Sequence, residues 1–386
     1  MIPIIRVHWR IVSSVLLALA LALPGAGTAV AEDTTPLTTG AVFNNPKGTV
    51  EEQNAVKNHI TGAIGRTESG RLIRAALYAL TDQDYTNALV AAHQRNVNVR
   101  VVLDAAYSGS TAAQSLISTL GTDKSARSWV HVCATGGACI ATGGTNAINH
   151  NKFFTFSRVG AVGVAEDVVI QTSANQTPVN VAKYWNNAYT VVGNTELYTA
   201  YTTYFNALVA EQKTADYFTS AKVGTEKYYF FPQKTGDVVV DILRNVSCTG
   251  NTTVGTSTHE SVVRVAAFAL HRDEVAAALV SLANQGCSVQ IVYANSNDEV
   301  TLKGHPNITL KKLNADGYLL HSKYLLVEGN YAGHPDTKWT FTGSHNLDYS
   351  SLRDNDEALL RLEGNAPHDA YAQNFTGLLG YATPVV

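Results

Sequence analysis

The sequence has little charge and few cysteines for its length. Of its 386 residues 15% are charged, the formal net charge is −3, and there are four cysteines. This balance argues against a general nucleic-acid-binding protein, which needs an excess of basic residues to displace the counterions of the phosphate backbone. The sequence contains no Cys-x-x-Cys pair and no carboxylate cluster with the spacing of metal ligands. We therefore expect neither a catalytic zinc site nor a two-metal site.

Long apolar runs are also lacking, except near the N-terminus. There, Arg6 and Arg10 precede the apolar segment Ile11–Leu23, and small residues follow at Ala29-Val30-Ala31. This order is typical of a secretory signal peptide, and the apolar segment is too short for a comfortable membrane span. We predict that residues 1–31 are a signal peptide and that the protein is secreted to the extracellular space. An uncleaved anchor is the alternative.

The four cysteines fit an oxidising compartment, in which disulfides persist. Four cysteines allow three pairings. We favour Cys133–Cys139, because these two residues bracket a short loop, and consequently Cys248–Cys287. A zinc site is the competing interpretation, which the missing ligand spacing disfavours.

Two short segments of the chain repeat the same set of reactive groups. His150-Asn151-Lys152 is followed by Ser173-Ala174-Asn175, and His321-Ser322-Lys323 by Ser344-His345-Asn346. The interval from the histidine to the serine is the same in both copies. Each copy supplies an imidazole, a cation, a hydroxyl and an amide donor, which suit attack on a phosphodiester and binding of its phosphoryl oxygens. One His-x-Lys alone is weak evidence, but two copies with equal intervals indicate a duplicated half-site.

The segments around these motifs are duplicated as well. Arg74–Leu80 matches Arg264–Leu270, and Val99–Val102 matches Val289–Val292 at the same offset in residue number. Each copy has the pattern strand, helix, strand, and this connection predicts that the two strands are parallel. The offset between the two motifs is smaller than the offset between these segments. The first half therefore contains an insertion, which we place at Ser125–Thr145 as a loop at the mouth of the site.

After each motif the pattern continues with two strands and a closing helix. The apolar stripes of the two closing helices have helical spacing, which is more typical of core packing than of cofactor contacts. The stripes are Leu197, Tyr201, Phe205 and Leu208 in the first half, and Tyr371, Phe375, Leu378 and Leu379 in the second.

The duplicated motifs resemble the signature of the phospholipase D superfamily, and the resemblance covers nearly the whole chain after the signal peptide. It implies an α/β fold with two pseudo-symmetric lobes, each a mostly parallel β-sheet covered by helices, and an active site between the lobes. We place the first lobe at residues 32–225 and the second at 226–386. The resemblance also implies catalysis through a covalent phosphohistidine, with no cofactor and no metal.

The resemblance assigns roles to the motif residues by position. His150 and His321 would be the nucleophile and the general acid, and relatives favour His150 as the nucleophile. Four residues would hold the phosphoryl oxygens and two serines would brace the site. These are Lys152, Lys323, Asn175 and Asn346 for the oxygens, and Ser173 and Ser344 for the bracing.

Further along the chain, the family has an acidic or amide residue that orients each imidazole. We assign Glu357 to His321 and Asn187 to His150. A carboxylate raises the basicity of an imidazole, whereas an amide only positions it. The two histidines should therefore be electrostatically unequal.

These features favour a secreted phospholipase D-type enzyme that hydrolyses phospholipid head groups, and that could also transfer them to an alcohol. Its substrate would lie at a membrane or micelle surface, and the enzyme would act as a monomer without an obligatory protein partner. A secreted nuclease of the same superfamily is the alternative. A non-catalytic phosphodiester-binding homologue is the third interpretation, because Ser157 and Glu328 stand where the family usually has an aspartate.

Aromatic residues near the motifs favour the lipid substrate over nucleic acid. Aromatic side chains with a polar tip suit a lipid–water boundary, whereas a nuclease needs cations along a strand. The aromatic residues are Phe153, Phe154, Tyr184, Trp185, Tyr318 and Tyr349, and the arginines near the motifs are few beyond Arg158 and Arg353.

We predict that the reaction is independent of metal ions, because neither motif has the spacing of a metal site. Exhaustive dialysis against a chelator should leave the rate of phosphodiester cleavage unchanged. A sample to which divalent cations are restored serves as the control. Full inactivation by the chelator, reversed by a single divalent ion, would contradict the mechanism.

Overall fold

The structure is a computed structural model, and it describes residues 1, 3, 36–134, 137–144, 146–161 and 163–385. The predicted signal peptide lies outside these residues, apart from residues 1 and 3. Within the described ranges, no helix combines the length and the apolar character that a membrane crossing requires. Both halves of the fold belong to one compact unit of the chain.

The first half is built on a seven-stranded mixed sheet. The strands of this half are β1 (Gly40–Phe43), β2 (Leu72–Leu77), β3 (Asn98–Leu103), β4 (Trp129–Val132), β5 (Lys152–Val159), β6 (Ala165–Thr172), β7 (Tyr184–Trp185) and β8 (Asn187–Val191). All of these except β7 form the sheet, in the order β1-β8-β6-β5-β2-β3-β4.

The second half is built on a ten-stranded mixed sheet. The strands of this half are β9 (Thr219–Val223), β10 (Glu226–Phe230), β11 (Val246–Ser247), β12 (Val262–Leu270), β13 (Ser288–Ser296), β14 (Ile308–Lys312), β15 (Asn314–Ala315), β16 (Tyr318–Leu320), β17 (Lys323–Tyr331), β18 (His334–Gly343), β19 (Ala358–Glu363) and β20 (Thr383–Pro384). The order is β20-β14-β13-β12-β17-β18-β19-β10-β9, and β11 pairs with β17. The remaining strands, β15 and β16, form a small sheet with β7, so this sheet joins the two halves.

Helices cover both sheets. They are α1 (Val50–Gly65), α2 (Gln83–Gln94), α3 (Thr111–Leu120), α4 (Pro178–Ala182), α5 (Thr195–Ala210), α6 (Val238–Arg244), α7 (Asp273–Asn284), α8 (Glu299–Leu302), α9 (Tyr349–Arg353) and α10 (Asn365–Tyr381). The first of them begins with a capping box, in which the side chains of Thr49 and Glu52 accept from each other's backbone N–H groups. The helix α2 buries one apolar face, which includes Tyr85, Leu89 and Ala92.

The two-lobed α/β fold is confirmed, but the sheets are mixed rather than mostly parallel. As predicted, β2 is parallel to β3 and β12 is parallel to β13. The strands that follow the motif histidines, β5 and β17, run antiparallel to β2 and β12. They also pair with β6 and β18 through short turns, and a hairpin connection permits only antiparallel pairing.

One apolar core lies where the two halves meet, around α5 and α10. It contains Tyr201 and Phe205 of α5, Tyr371 and Phe375 of α10, and Ala266 of β12. The aromatic stripes of the closing helices are therefore core residues, as predicted. Burial of these large side chains from both halves in one core makes the lobes a single packed structure.

The additional residues of the first half lie in two places rather than one. The helix α3 has ten residues where α8 has four, and residues 133–149 connect β4 to His150, with isolated bridges at Ala141 and Asn149 in the described part. The predicted insertion, Ser125–Thr145, includes only this second part together with β4. The predicted lobe boundary at residue 225 divides the hairpin of β9 and β10, which both belong to the second sheet. A division before Thr219 follows the sheets.

Both predicted disulfides are present. Cys133–Cys139 has a sequence separation of 6 residues and Cys248–Cys287 a separation of 39. We predict that loss of the second destabilises the protein more, because the longer loop removes more entropy from the unfolded chain. The loop-entropy relation gives about 4 kcal/mol for the longer loop and about 2 kcal/mol for the shorter.

Urea unfolding of the two Cys→Ala double variants measures this difference, with wild-type protein as the reference. Equal losses, or a larger loss for the Cys133/Cys139 variant, would contradict the prediction.

Candidate active site

Each motif histidine lies just before a central strand and is bound by the opposite half. The backbone N–H of His150 donates to the carbonyl oxygen of Asp356 at 3.0 Å. The backbone N–H of His321 donates to the carbonyl oxygen of Trp185 at 2.9 Å. Both histidines are almost buried, with 7% and 5% of their surface exposed. The two halves therefore meet at these residues.

The side chains that orient the imidazoles also cross between the halves. Nδ1 of His150 lies 2.7 Å from Oε1 of Glu357, and Nδ1 of His321 lies 2.9 Å from Oδ1 of Asn186. A carboxylate or carbonyl oxygen can only accept, so Nδ1–H is the donor in both pairs. Nε2 is then the ring nitrogen that remains for chemistry in both histidines.

The predicted assignment of Glu357 to His321 is wrong, because each half orients the histidine of the other half. The residue that orients His321 is Asn186, which the sequence analysis missed. A signal for it exists in the sequence. Glu357 follows Asn186 at the same offset that separates His321 from His150.

Asn187, predicted to orient His150, has a different role. Its Nδ2 donates to Thr342 Oγ1 at 2.8 Å and to the Tyr371 hydroxyl at 2.9 Å. Neighbouring residues of an extended chain point to opposite sides. Asn187 therefore points into the core between the halves, while Asn186 points to the histidine.

The two motif lysines are buried beside their own histidines. Lys152 donates from Nζ to the carbonyl oxygen of His150 at 2.7 Å, and Lys323 to that of His321 at 2.5 Å. Burial lowers the pKa of Lys152 to about 7, against the attraction of Glu357. Burial, with repulsion from Lys152, lowers the pKa of Lys323 well below its ordinary value. An anionic phosphoryl group beside these lysines would favour their charged forms.

An aromatic ring lies beside each histidine. The rings of Tyr78 and His150 are 5.1 Å apart, and those of Phe268 and His321 are 4.9 Å apart. Tyr78 follows β2 directly and Phe268 lies in β12. The two residues are equivalent, because the same offset in residue number separates them as separates the two duplicated strands. Tyr184 also stacks on His321, with ring centroids 5.6 Å apart. Neither Tyr78 nor Phe268 was predicted from the sequence, and their rings give the site aromatic walls.

The motif serines hold the orienting side chains. Ser173 donates from Oγ to Oδ1 of Asn186 at 2.9 Å. Ser344 donates from Oγ to Oε2 of Glu357. The serines thus brace the residues that position the imidazoles, and each serine acts within its own half.

The motif asparagines are held by their backbones. The N–H of Asn175 donates to Oδ1 of Asn180, and the N–H of Asn346 donates to Oγ of Ser351, both at 3.2 Å. The Ser351 hydroxyl in turn donates to Glu357 at 2.8 Å. Among the described residues neither asparagine side-chain amide has a hydrogen-bond partner, so both amides remain available to a ligand.

The Glu357 carboxylate makes the two histidines unequal. Burial lowers the pKa of both, but Glu357 opposes this effect at His150. At His321 the charges of Lys323 and Lys152 lower the pKa further. Burial favours the neutral form of Glu357, but His150 and Lys152 outweigh it and lower the pKa of Glu357 to about 2. Glu357 is therefore ionised at neutral pH, and His150 is the more basic imidazole.

The disulfide loop of the first half is attached next to Glu357. The carboxylate of Asp356 accepts backbone N–H groups from Cys139 at 2.6 Å, Ile140 at 3.0 Å and Ala141 at 2.8 Å. Burial raises the pKa of Asp356 to about 7, although these hydrogen bonds oppose the shift. The loop thus contacts the residue that precedes the partner of His150. This position agrees with a loop near the site.

One group of residues in the described ranges could supply three metal ligands, namely His131, Cys139 and Glu211. The sulfur of Cys139 is in the disulfide with Cys133, so it is not a thiolate ligand. No motif residue belongs to this group.

A comparison with known protein families agrees with this site, which has two equivalent motifs whose histidines are each oriented by the opposite half. A family model described as "Cardiolipin synthase, PLD-like domain" matches residues 63–209 and 256–379, more than two thirds of the chain. The chain belongs to this family. Membership of the phospholipase D superfamily, which the motifs predicted, is thereby confirmed. A search among curated proteins found no match.

Solved structures with the same fold are distant in sequence. Phosphatidylserine synthase from Haemophilus influenzae Rd KW20 has a TM-score of 0.60 at 12% identity, covering 91% of this chain and 89% of the synthase. Polyphosphate kinase from Porphyromonas gingivalis has a TM-score of 0.57 at 12% identity, covering 88% of this chain and 50% of the kinase. The chain therefore spans about half the length of that kinase. At such identities the likeness shows the fold alone.

We predict different kinetic effects for two neighbouring asparagines. Asn186→Ala removes the acceptor that orients His321, so kcat/KM should fall about 10²-fold. It also removes buried hydrogen bonds with Ser173 and Asn180, so the free energy of unfolding should fall as well. Asn187→Ala leaves the imidazole in place but removes two buried hydrogen bonds, so the free energy of unfolding should fall by about 1–3 kcal/mol. Steady-state kinetics with a soluble phosphodiester and urea unfolding measure both quantities. Equal kinetic losses in both variants would contradict the assignment.

Proposed function

We propose that this protein is a secreted phosphodiesterase of the phospholipase D type, which releases phospholipid head groups through a phosphohistidine on His150. The observation that carries the proposal is the unequal pair of partners, the Glu357 carboxylate at His150 and the Asn186 amide at His321. A carboxylate partner keeps the imidazole basic and stabilises the cation that forms when Nε2 bonds to phosphorus. His150 is therefore the nucleophile.

In this mechanism His321 is the general acid. In the free site, burial and the two lysines favour its neutral form. An anionic phosphodiester bound beside Lys152 and Lys323 opposes their repulsion and raises the pKa of His321. The protonated Nε2 then gives its proton to the leaving alcohol as His150 attacks phosphorus. It later takes a proton from the water that cleaves the phosphorus–nitrogen bond.

The remaining motif residues stabilise the charge that develops on the phosphoryl oxygens. The donors are the ammonium groups of Lys152 and Lys323 and the side-chain amides of Asn175 and Asn346. These groups are already positioned before the substrate binds, so little reorganisation is needed in the transition state. If an alcohol replaces water in the second step, the product is a new phosphodiester instead of a phosphomonoester.

The surroundings of the site support a phospholipid over a nucleic acid. Arg353 donates to the carbonyl oxygens of Gln233 and Gly236 at 2.6 and 2.7 Å, and Arg158 lies 3.5 Å from Glu68. Both arginines are thus engaged within the protein and do not form a basic groove. Nuclease activity would need such cations along the strand.

Some of the predicted aromatic residues do reach the rim of the site. Phe153, Phe154 and Trp185 are buried in the core. Tyr184, on the edge strand β7 of the small sheet, is half-buried and stacks on His321. Tyr318 is half-buried on the central strand β16 of that sheet. Such rings suit the boundary between lipid and water. The family description names cardiolipin synthase, an enzyme of phospholipid chemistry, and the two disulfides agree with secretion.

We predict that His150→Ala and His321→Ala each lower the turnover of phosphatidylcholine vesicles by about 10³-fold or more, because each imidazole has a separate obligatory role. Released choline and, with ethanol present, phosphatidylethanol are measured. His334→Ala, which changes an exposed histidine, is the control. Efficient DNA cleavage at moderate salt without release of any head group would favour the nuclease instead.

A substrate with a nitrophenyl leaving group separates the two roles. This leaving group needs no proton, so His321→Ala should retain a burst of nitrophenol and accumulate a phosphorylated enzyme. His150→Ala should give no burst. Mass spectrometry locates the phosphoryl group, and a phosphorylated His321 would reverse the assignment.

A further inference from the structure

A row of four polar or aromatic side chains crosses the first sheet. In register, Thr155 of β5 lies opposite Arg74 of β2, Arg74 lies opposite Arg100 of β3, and Arg100 lies opposite Trp129 of β4. Residues directly opposite one another point to the same face of a sheet. The four side chains therefore form a continuous row.

The helix α5 covers this row. Arg74 donates from Nη1 to the hydroxyl of Tyr198 at 3.1 Å. The rings of Trp129 and Phe205 are 5.9 Å apart. Thr202 lies on the same face of α5, between Tyr198 and Phe205. Side chains of the sheet and of α5 are thus in contact along the row.

Within the described part of the chain, the row holds buried polar atoms that have no hydrogen-bond partner. Thr155 and Trp129 are 0% and 4% exposed, yet the hydroxyl of the first and the indole N–H of the second are unpartnered. The same holds for Nε of Arg74 and Arg100 and for the Thr202 hydroxyl. A buried donor without an acceptor destabilises the fold, because it has lost its hydrogen bonds to water. Five such groups lie along this row and on the helix above it, with the two arginines at the centre of the row, and this arrangement indicates that an acceptor binds there.

The charges of the row are also unbalanced. Arg74 and Arg100 are neighbours across the sheet, and burial together with repulsion from Arg74 lowers the pKa of Arg100. Neither guanidinium forms an ion pair with a carboxylate of the described residues. Two adjacent, partly buried cations without an anion are unfavourable unless a ligand neutralises them.

The second half shows how the same position is neutralised internally. There Arg264, the equivalent of Arg74, lies 2.9 Å from Glu328 and donates to Gln290 at 3.2 Å. The offset of the duplicated strands makes Gln290 the equivalent of Arg100, and the offset of the motifs makes Glu328 the equivalent of Ser157. The first half therefore has one more cation and one fewer anion than the second.

We propose that Arg74, Arg100 and Trp129 form a binding site for a phosphate-type oxyanion, separate from the active site. Guanidinium groups bind phosphate oxygens with paired N–H donors, and the hydroxyls of Thr155 and Thr202 complete the set. Three residues along the strands separate Arg74 and Thr155 from Leu77 and Lys152, which corresponds to about 10 Å. The site does not depend on the proposed function. Its anion is either free phosphate or the phosphate group of an anionic lipid.

Titration calorimetry with inorganic phosphate tests the proposal. The Lys152→Ala/Lys323→Ala variant removes the active-site cations, and it should still bind one phosphate per chain. Adding Arg100→Gln, which reproduces the arginine–glutamine pair of the second half, should weaken this binding at least tenfold. In the wild-type background, the same substitution should lower the number of bound phosphates by one, which covers the case that the lysine variant does not fold.

Two further variants are matched to the internal repeat. Ser157→Glu places a carboxylate where the second half has Glu328, and it should also weaken phosphate binding at least tenfold. Arg264→Gln changes an arginine that is already neutralised, and it should leave phosphate binding unchanged.

A second arm distinguishes the two sources of the anion. Flotation with phosphatidic acid vesicles, compared with phosphatidylcholine vesicles, shows whether a lipid phosphate occupies the site. Arg100-dependent binding of either probe supports the proposal and identifies the source. Binding of neither probe, or binding that Arg100→Gln does not weaken, would overturn it.

Discussion

Two hydrogen bonds between the halves of the chain determine the geometry of the site, and much of the surrounding structure serves to hold them. The bonds join His150 to Glu357 and His321 to Asn186. The motif serines brace the two acceptors, and the small sheet formed by β7, β15 and β16 keeps the halves in register at this point. The core around α5 and α10, which contains side chains of both halves, also holds the halves in this arrangement. Neither half alone contains an oriented histidine.

The internal repeat explains how much of this architecture the sequence predicts. Two copies of one pattern reinforce each other, so the parallel pairs, the buried faces of the closing helices and the motif residues could be identified without coordinates. The disulfides were predictable because Cys133 and Cys139 bracket a short loop. Once these two are paired, Cys287 is the one cysteine that remains to pair with Cys248. The spacing of two equal motifs also predicted that they meet in one site.

The remaining errors come from properties that spacing along the chain does not report. Spacing cannot say which half supplies the partner of a histidine, so Glu357 was assigned to the wrong one. It also does not say which of two adjacent asparagines points to the site, although the offset shared with the motif histidines favours Asn186. The aromatic residues Phe153 and Phe154 follow a motif in sequence, but they lie on a central strand covered on both faces. They are therefore buried instead of facing a substrate.

The crossing of partners between the halves has a consequence for the origin of such a chain. Two identical single-motif subunits on a twofold axis would build the same site, but each histidine would then have the same partner. A fused chain is free of that symmetry, so one acceptor can be Glu357 and the other Asn186. In a fused chain the two duplicated imidazoles can therefore have different pKa values, because each has a different hydrogen-bond acceptor. In the same way, Glu328 neutralises Arg264 in the second half. The equivalent arginine of the first half, Arg74, has no such partner in the described part of the chain, because Ser157 stands at the position of Glu328.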